Sequence, residues 1–424
     1  MYAVIEQYGN VTSFSFERDD SLYKNRDALL EEYTPEELVG RDEELEEFHA
    51  ALQPVINGEA PSNIFLYGKS GVGKTAATRF LLSQLRNDVE RYEDVTLNVI
   101  EVNCDGLNSS YQVAVRLVNT LRDPANHISN TGYPQAQVYS YLWDELDSLG
   151  GTILLVLDEV DHIRDNSILY QIPRARSNGY LTNSRIGIIG ISNDLSFRDS
   201  LSAKVRSSLC EKEVSFPPYD ANELQSVLRQ REKVAFHPDV LSDDVIPLCA
   251  AYGAQDAGDA RQALDLLLEA GDLARKDGAE KITVQHVKDA REKLERDRIV
   301  DGVSELTQHA RLILYALASL DAEDETPVRS RQIRPRYEQL CDQISTEPLT
   351  SRRMRDHLAD LSMLGIVTSI EKNEGMSGGK YREHSLKQDL QVVLSALTDT
   401  IEFVGTHESI KRYHQPTLDE AVRK

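Results

Sequence analysis

Apolar positions along the chain fall into three regimes. Through residues 1–30 they show no period, which predicts a poorly ordered lead-in. In "EEYTPEELVGRDEELEEFHAALQPVING" Leu45, Phe48 and Leu52 recur at helical spacing. Apolar runs at 63–67, 95–104, 152–161 and 186–194 then predict strands. Runs without polar alternation are covered on both faces, so residues 31–215 are expected to form an α/β domain with a parallel sheet between helices. After "EVSFPPYDANEL" the strands cease. "ELQSVLRQREKVAF", "DVIPLCAAYGAQ" and "DARQALDLLLEAGDLARKDG" predict a small all-α domain over 216–297. From 298 to 400 the pattern reads "ELTQHARLILYALASL", "RPRYEQLCDQI" and "TSRRMRDHLADLSMLGIVTSI", then the turn-rich "EKNEGMSGGKYREHSL". Three helices followed by a two-stranded wing is a winged helix-turn-helix, with the acidic "DAEDET" between its first two helices and a tail over 401–424. No internal repeat is present.

The glycine-rich turn inside "NIFLYGKSGVGKTAATRFLLSQL" carries the first chemistry. Gly68, Gly73, Lys74 and Thr75 fit G-x-x-x-x-G-K-[ST] between a strand and a helix, the context that motif needs. Backbone N–H groups at a helix start meet phosphate charge, and glycines at 68, 71 and 73 let the backbone curl closely round it. Lys74 is expected on the β- and γ-phosphates and Thr75 on Mg²⁺. The strand "TILLVLDEVD" supplies the acidic half: Asp158 to hold the metal, Glu159 to orient or deprotonate the attacking water. Asp161 reads equally as a helix cap or as part of the chemistry. Asn193, ending "IGIIGISND", is placed on the γ-phosphate or the water, with a plain turn residue as its rival reading. Arg261 in "GDARQALDLL" is read as reaching across from the helical domain to the terminal phosphate, or as a solvated arginine. If both assignments hold, loss of a phosphate changes the angle between those two domains.

Net charge modifies this picture. The chain carries 47 Lys and Arg against 70 Asp and Glu, a balance of −23. That would repel nucleic acid if it were evenly spread. It is not: Val328 to Lys387 holds eleven basic against eight acidic residues, +3, leaving −26 for the remainder. The acidic surface suits a protein working in concentrated salt, or an acidic partner-binding face. Cys104, Cys210, Cys249 and Cys341 are scattered without metal spacing and are expected reduced and mostly buried. With no apolar stretch of membrane length and no leader-like start, a soluble, cytoplasmic, nucleoid-associated protein is expected.

Within the less acidic segment, "TSRRMRDHLADLSMLGIV" predicts a helix capped by Thr350 or Ser351, with an apolar stripe through Met354, Leu358, Leu361 and Leu364. Arg352, Arg353 and Arg355 crowd its first turn, against the helix dipole. A recognition helix set against bases and phosphates explains them, while a helix used for protein contacts is the plainer alternative. Lys380 and Arg382 would lie near the wing tip, against backbone phosphates or the minor groove. If salt is high, counterion release is weak, and shape and base contacts carry more of the binding.

Taken together, "GKSGVGKT", "LLVLDEVD", "ISND", "GDARQALDLL" and a C-terminal winged helix resemble the AAA+ replication initiators of archaea, relatives of the eukaryotic origin recognition complex and its helicase-loading partner. The resemblance spans roughly residues 20 to 400. It implies a protein that binds ATP or ADP with Mg²⁺, marks double-stranded origin DNA and helps recruit the replicative helicase; other initiator copies on DNA are a candidate partner, and whether the chain assembles there stays open. It places the phosphate loop on Val72, Gly73, Lys74, Thr75 and Ala76, and adds Tyr219 of "FPPYDANEL" and Arg231 of "LRQREKVAF" as nucleotide contacts. "LVGRDEEL" corresponds to the adenine side, with the base near Leu38 to Arg41 and so beside Val39. "TGYPQAQVYSYLWDEL" falls where such initiators carry a helical insertion that touches DNA. The family's D-P-R-V-K-S-S-L reads "SAKVRSSL" here, with Lys204 at the expected arginine; either Arg206 substitutes as the trans-acting arginine finger or hydrolysis does not depend on a neighbouring subunit. Slow ATP hydrolysis used as a switch is the implied activity. A transcription regulator of the same architecture and a clamp-loader-like ATPase are the alternatives.

Overall fold

A computed structural model describes residues 22–209, 212–373, 380–411 and 413. The chain divides into two compact units, Met1–Lys288 and Asp289–Lys424.

In the first unit, β1 (Ile64–Tyr67), β2 (Leu97–Asn103), β3 (Gly151–Asp158), β4 (Ser184–Ser192) and β5 (Lys212–Ser215) form one sheet in the order β2-β3-β4-β1-β5. Every pairing is parallel, with Ile64 opposite Ile189 and Val99 opposite Leu154. Parallel neighbours need crossovers. These are supplied by α2 (Lys74–Val89), α3 (Ser110–Leu121), α4 (Gln135–Leu149) and α5 (Ser167–Arg174), with α1 (Asp42–Ile56) before the sheet and α6 (Phe197–Ser200) and α7 (Ala203–Leu209) leading into β5. Alternate strand residues feed two cores. Ile64, Leu66, Leu154 and Val156 pack with Phe48, Leu52 and Leu82. Phe65, Ile153, Leu155 and Leu157 pack on the other face with Leu117, Leu142 and Trp143. Of the four β5 residues only Val214 is buried, so this edge strand lacks the apolar run that announces the others.

The lid follows as α8 (Ala221–Ala235), α9 (Val245–Gln255) and α10 (Ala260–Lys276). Asp220 caps α8 by accepting from the Asn222 and Glu223 N–H groups, and Glu223 accepts in return from the Asp220 N–H at 2.7 Å. Residues 22–30, expected in the loose lead-in, are instead packed here: Leu22 and Leu29 are buried, Tyr23 stacks on Phe236, and Arg26 pairs with Asp272 at 2.6 Å. Their apolar residues are too few to show a period yet enough to fill a groove in the lid.

The second unit is built round α12 (Gln308–Asp321), buried on nearly every side. α11 (Val284–Ser304) crosses the boundary between the units. β6 (Val328–Arg329), α13 (Ser330–Gln343), α14 (Ser351–Met363), β7 (Val367–Asn373) and β8 (Lys380–Leu386) follow, and the sheet runs β6-β8-β7, all antiparallel. The wing therefore rests on three strands where the sequence predicts two; β6 is only two residues long and leaves no periodic signal. Thr350 is the N-cap of α14. Met354, Leu358 and Leu361 enter the core, while Leu364 is 53% exposed and leaves the stripe. α15 (Leu390–Ala396) and α16 (Thr398–Val404) close the unit. Ile401, Val404 and Ile410, expected in a tail, sit in this core. Cys104, Cys249 and Cys341 are buried and unbridged; Cys210 lies outside the described residues.

Candidate functional site

Strand β1 delivers the chain into the glycine turn, and three glycines there have no room for a side chain. A Cβ on Gly68 would meet the Phe216 carbonyl oxygen at 2.5 Å. Gly71 and Gly73 adopt left-handed backbone, φ 71° and 94°. A Cβ on Gly71 would lie 1.7 Å from the Asp259 carboxylate. Lys74 then opens α2 and is buried. Its Nζ donates to the Gly68 and Lys69 carbonyls at 2.8 and 2.7 Å and to Asn193 Oδ1 at 2.9 Å. Burial pulls its pKa down to about 8, against the attraction of Asp158 and Asp161.

The acidic half meets the loop directly. Thr75 Oγ1 donates to Asp158 Oδ2 at 2.9 Å, and the Glu159 N–H donates to Asp158 Oδ1 at 3.0 Å. Glu159 itself holds φ 53°, a left-handed conformation uncommon for this residue. Burial raises its pKa, with His162 pulling the other way. Asp161 is not a helix cap: it lies inside a short 3₁₀ turn, and its carboxylate accepts from the Asn193 N–H at 3.2 Å.

A cleft of about 220 Å³ opens above these groups, lined by Gly71, Gly73, Lys74, Thr75, Ala76, Asp158, Glu159 and Asn193 together with Val39 and the lid's Tyr219, Arg231 and Arg261. Val72, placed in the phosphate loop, does not line the cleft, for its side chain is buried in the core beneath the loop. Arg231 is 7% exposed, with Nη1 and Nη2 donating to the Ala28 and Tyr33 carbonyls at 3.3 Å and Nε unpartnered. Arg261 forms an ion pair with Glu31 across the cleft mouth. Sequence reading missed Glu31, Tyr33 and Leu30, which reach the cleft only because the preceding segment packs on the lid. It also gave no role of its own to Arg41, since burial of one arginine among acidic neighbours leaves no pattern. Arg206 lies on α7, 40% exposed and 3.8 Å from Asp199, outside the cleft.

The second unit holds a groove of about 670 Å³ in which Arg352, Arg355, Lys380 and Arg382 are joined by Arg329 and Arg331. Arg353 does not line it. Residues three apart on a helix share a face and adjacent ones do not, which separates Arg353 from Arg352 and Arg355. The Arg329 guanidinium lies 3.5 Å over the Tyr381 ring. Of the expected wing tip, 374–384, residues 374–379 lie outside the described residues and 380–384 belong to β8. In the first unit, the stretch expected as a helical insertion forms α4, which buries Val138, Leu142, Trp143 and Leu146 in the core.

Family models match three stretches of the chain: an AAA domain over 58–191, a Cdc6 AAA+ ATPase-type lid domain over 225–292, and a CDC6 C-terminal winged helix domain over 301–396. ORC1-type DNA replication protein 11 of Haloarcula marismortui is 61% identical over 395 residues, 93% of this chain and 95% of that one. ORC1-type DNA replication protein 10 of Halobacterium salinarum is 50% identical over 390 residues, 91% of this chain and 94% of that one. Among solved structures, the Aeropyrum pernix ORC1 protein in complex with DNA is 37% identical with a TM-score of 0.78, covering 90% of this chain and 98% of that one. No helix among the described residues is long and apolar enough to cross a membrane. A glycine loop closed by a lid, a winged helix with a basic groove, and relatives matched along nearly their whole length make this chain a member of the ORC1-type DNA replication protein family.

Proposed function

We infer that the chain is an ATP-dependent initiator that binds double-stranded origin DNA through its winged helix and helps recruit the replicative helicase. The observation that carries this reading is the cleft, where Lys74, Thr75, Asp158, Glu159 and Asn193 converge beneath arginines of the lid. The residues fit a nucleoside triphosphate with Mg²⁺. The left-handed glycines form a cradle that a Cβ would fill, and Arg231 Nε is buried with no partner among the described residues. When bound, ATP·Mg²⁺ supplies a hydrolysable phosphoanhydride and a charge that neutralises the phosphates. Lys74 would exchange its carbonyl partners for phosphate oxygens, and Thr75 and Asp158, already bonded to each other, would hold the metal. Glu159 would take a proton from water, and burial raises its pKa, which makes it a better base than an exposed carboxylate. Asn193 spans Lys74 and Asp161 and would orient that water. Tyr219, Arg231 and Val39 would hold the nucleoside side, and Arg261 the terminal phosphate.

The relative from Aeropyrum pernix was solved with DNA, and here six cations line one groove of the corresponding domain in a chain of net charge −23. Such a local excess is what duplex phosphates would select. Footprinting of genomic fragments in high salt, with ATP and with ADP, tests the reading. Protection of a discrete repeated site that changes with the nucleotide is expected; uniform weak protection of all fragments would overturn it.

A further inference from the structure

Arg41 is the largest of the fully buried side chains, 1% exposed, and it does not line the cleft. Among the described residues its acidic partner is Glu44, at 3.2 Å from Nη1. A buried ion pair rarely stabilises a fold better than apolar residues of the same size, so a guanidinium at this place calls for a geometric reason. The reason lies in what its other nitrogens hold. Nε donates to the Val72 carbonyl at 3.0 Å, inside the phosphate loop, and Nη2 donates to the Pro217 carbonyl at 2.7 Å, on the segment joining β5 to the lid. The guanidinium carbon lies over the Tyr219 ring, 3.6 Å from its centroid. Tyr219 in turn packs under Gly73, where a Cβ would meet its hydroxyl at 2.8 Å, and its N–H donates to the Gly258 carbonyl at 3.1 Å. Two residues on, the Ala260 N–H returns to the Gly71 carbonyl at 3.0 Å. Loop, arginine, tyrosine and lid thus form a closed ring of contacts.

We propose that Arg41 is a positioning residue that fixes the Val72–Gly73 backbone to the Pro217–Tyr219 hinge of the lid, making nucleotide affinity depend on a side chain outside the cleft. The inference rests on the reading of the cleft as a nucleotide site. Only a planar fork can grip two carbonyls and stack on a ring at once; lysine keeps the charge but has a single nitrogen and no plane.

The test compares the full chain with Arg41→Lys, Lys74→Ala, Tyr219→Phe and Tyr219→Leu. Affinity for a fluorescent ADP is measured, together with amide exchange over residues 70–76 in the nucleotide-free protein. Arg41→Lys is expected to weaken binding about tenfold and to speed exchange in the loop, with a cooperative unfolding transition retained. Wild-type affinity and exchange in folded Arg41→Lys would overturn the inference. If Arg41→Lys does not fold, the tyrosine pair decides: Tyr219→Leu removes the stacking face and should speed loop exchange, while Tyr219→Phe keeps the face and should not. Equal exchange in the two would sink the proposal. Failure of the underlying reading looks different, because the wild type and Lys74→Ala would then bind the nucleotide alike.

Discussion

Replacing Arg352 and Arg355 together by alanine removes two of the six cations in the winged-helix groove. Each phosphate neutralised on B-form DNA contributes about −0.9 to the slope of log affinity against log salt. The substitution should therefore make the slope shallower by about 1.8. The six cations together bound the groove's own contribution at about −5. Lys380 already shares its charge with Glu371 at 3.1 Å, and Asp356 lies among the arginines, so the measured contribution should fall short of that bound. Over a tenfold rise in salt the double variant should lose about two decades less affinity than the wild type. Both arginines are exposed, Arg352 in the first turn of α14 against the dipole and Arg355 just beyond it, so their removal should leave the fold intact or slightly firmer. Fluorescence anisotropy with an origin-repeat duplex across a potassium chloride series measures both slopes, and urea unfolding checks the fold. An unchanged slope in a folded variant would refute the assignment of this groove to duplex phosphates.

Glu159→Gln should bind ATP within a few-fold of wild type and lose about 100-fold or more in single-turnover hydrolysis; undiminished turnover would remove Glu159 from the water-activating role. Leu358→Ala empties a fully buried position in the second core and should cost about 2–5 kcal/mol in urea unfolding of that unit; a cost below about 1 kcal/mol would mean that the core closes over the gap. His384 is 3% exposed, its ring nitrogens bonded to the Ser330 and Ser369 hydroxyls at 3.0 and 2.8 Å. Burial, with Arg382 nearby, holds its pKa down to about 4 against an ordinary 6.5. Between those values the unfolded chain binds a proton that the folded unit refuses, so stability should fall as pH drops from 6.5 towards 4, by about 3 kcal/mol at most. His384→Asn should flatten that fall, and an identical pH profile in the variant would assign the acid loss to other groups.

Much of the nucleotide cleft was legible because its chemistry is local in sequence. Gly73, Lys74 and Thr75 follow one strand, and Asp158 and Glu159 end another, so apolar runs and one motif locate them. Arg41 and Asp259 were opaque, for each acts through a contact between segments distant in sequence, the one on Val72 and the other on Gly71. The ends of the domains were misjudged for a related reason. Leu22, Leu29, Ile401 and Ile410 are single apolar residues in short segments, and burial of a few side chains against a preformed surface needs no period. In the groove α14 was visible from its arginines, whereas Arg329 and Arg331 enter through β6 and the start of α13, a strand too short to read.

The most direct test is equilibrium binding of labelled ATP to the nucleotide-stripped full chain and to Lys74→Ala, with unfolding transitions recorded for both. Removing the buried amine from the loop should cut affinity by about 100-fold or more, nearly 3 kcal/mol, while the variant stays folded. A folded Lys74→Ala protein that binds ATP as tightly as the wild type would contradict the assignment of this cleft to a nucleotide.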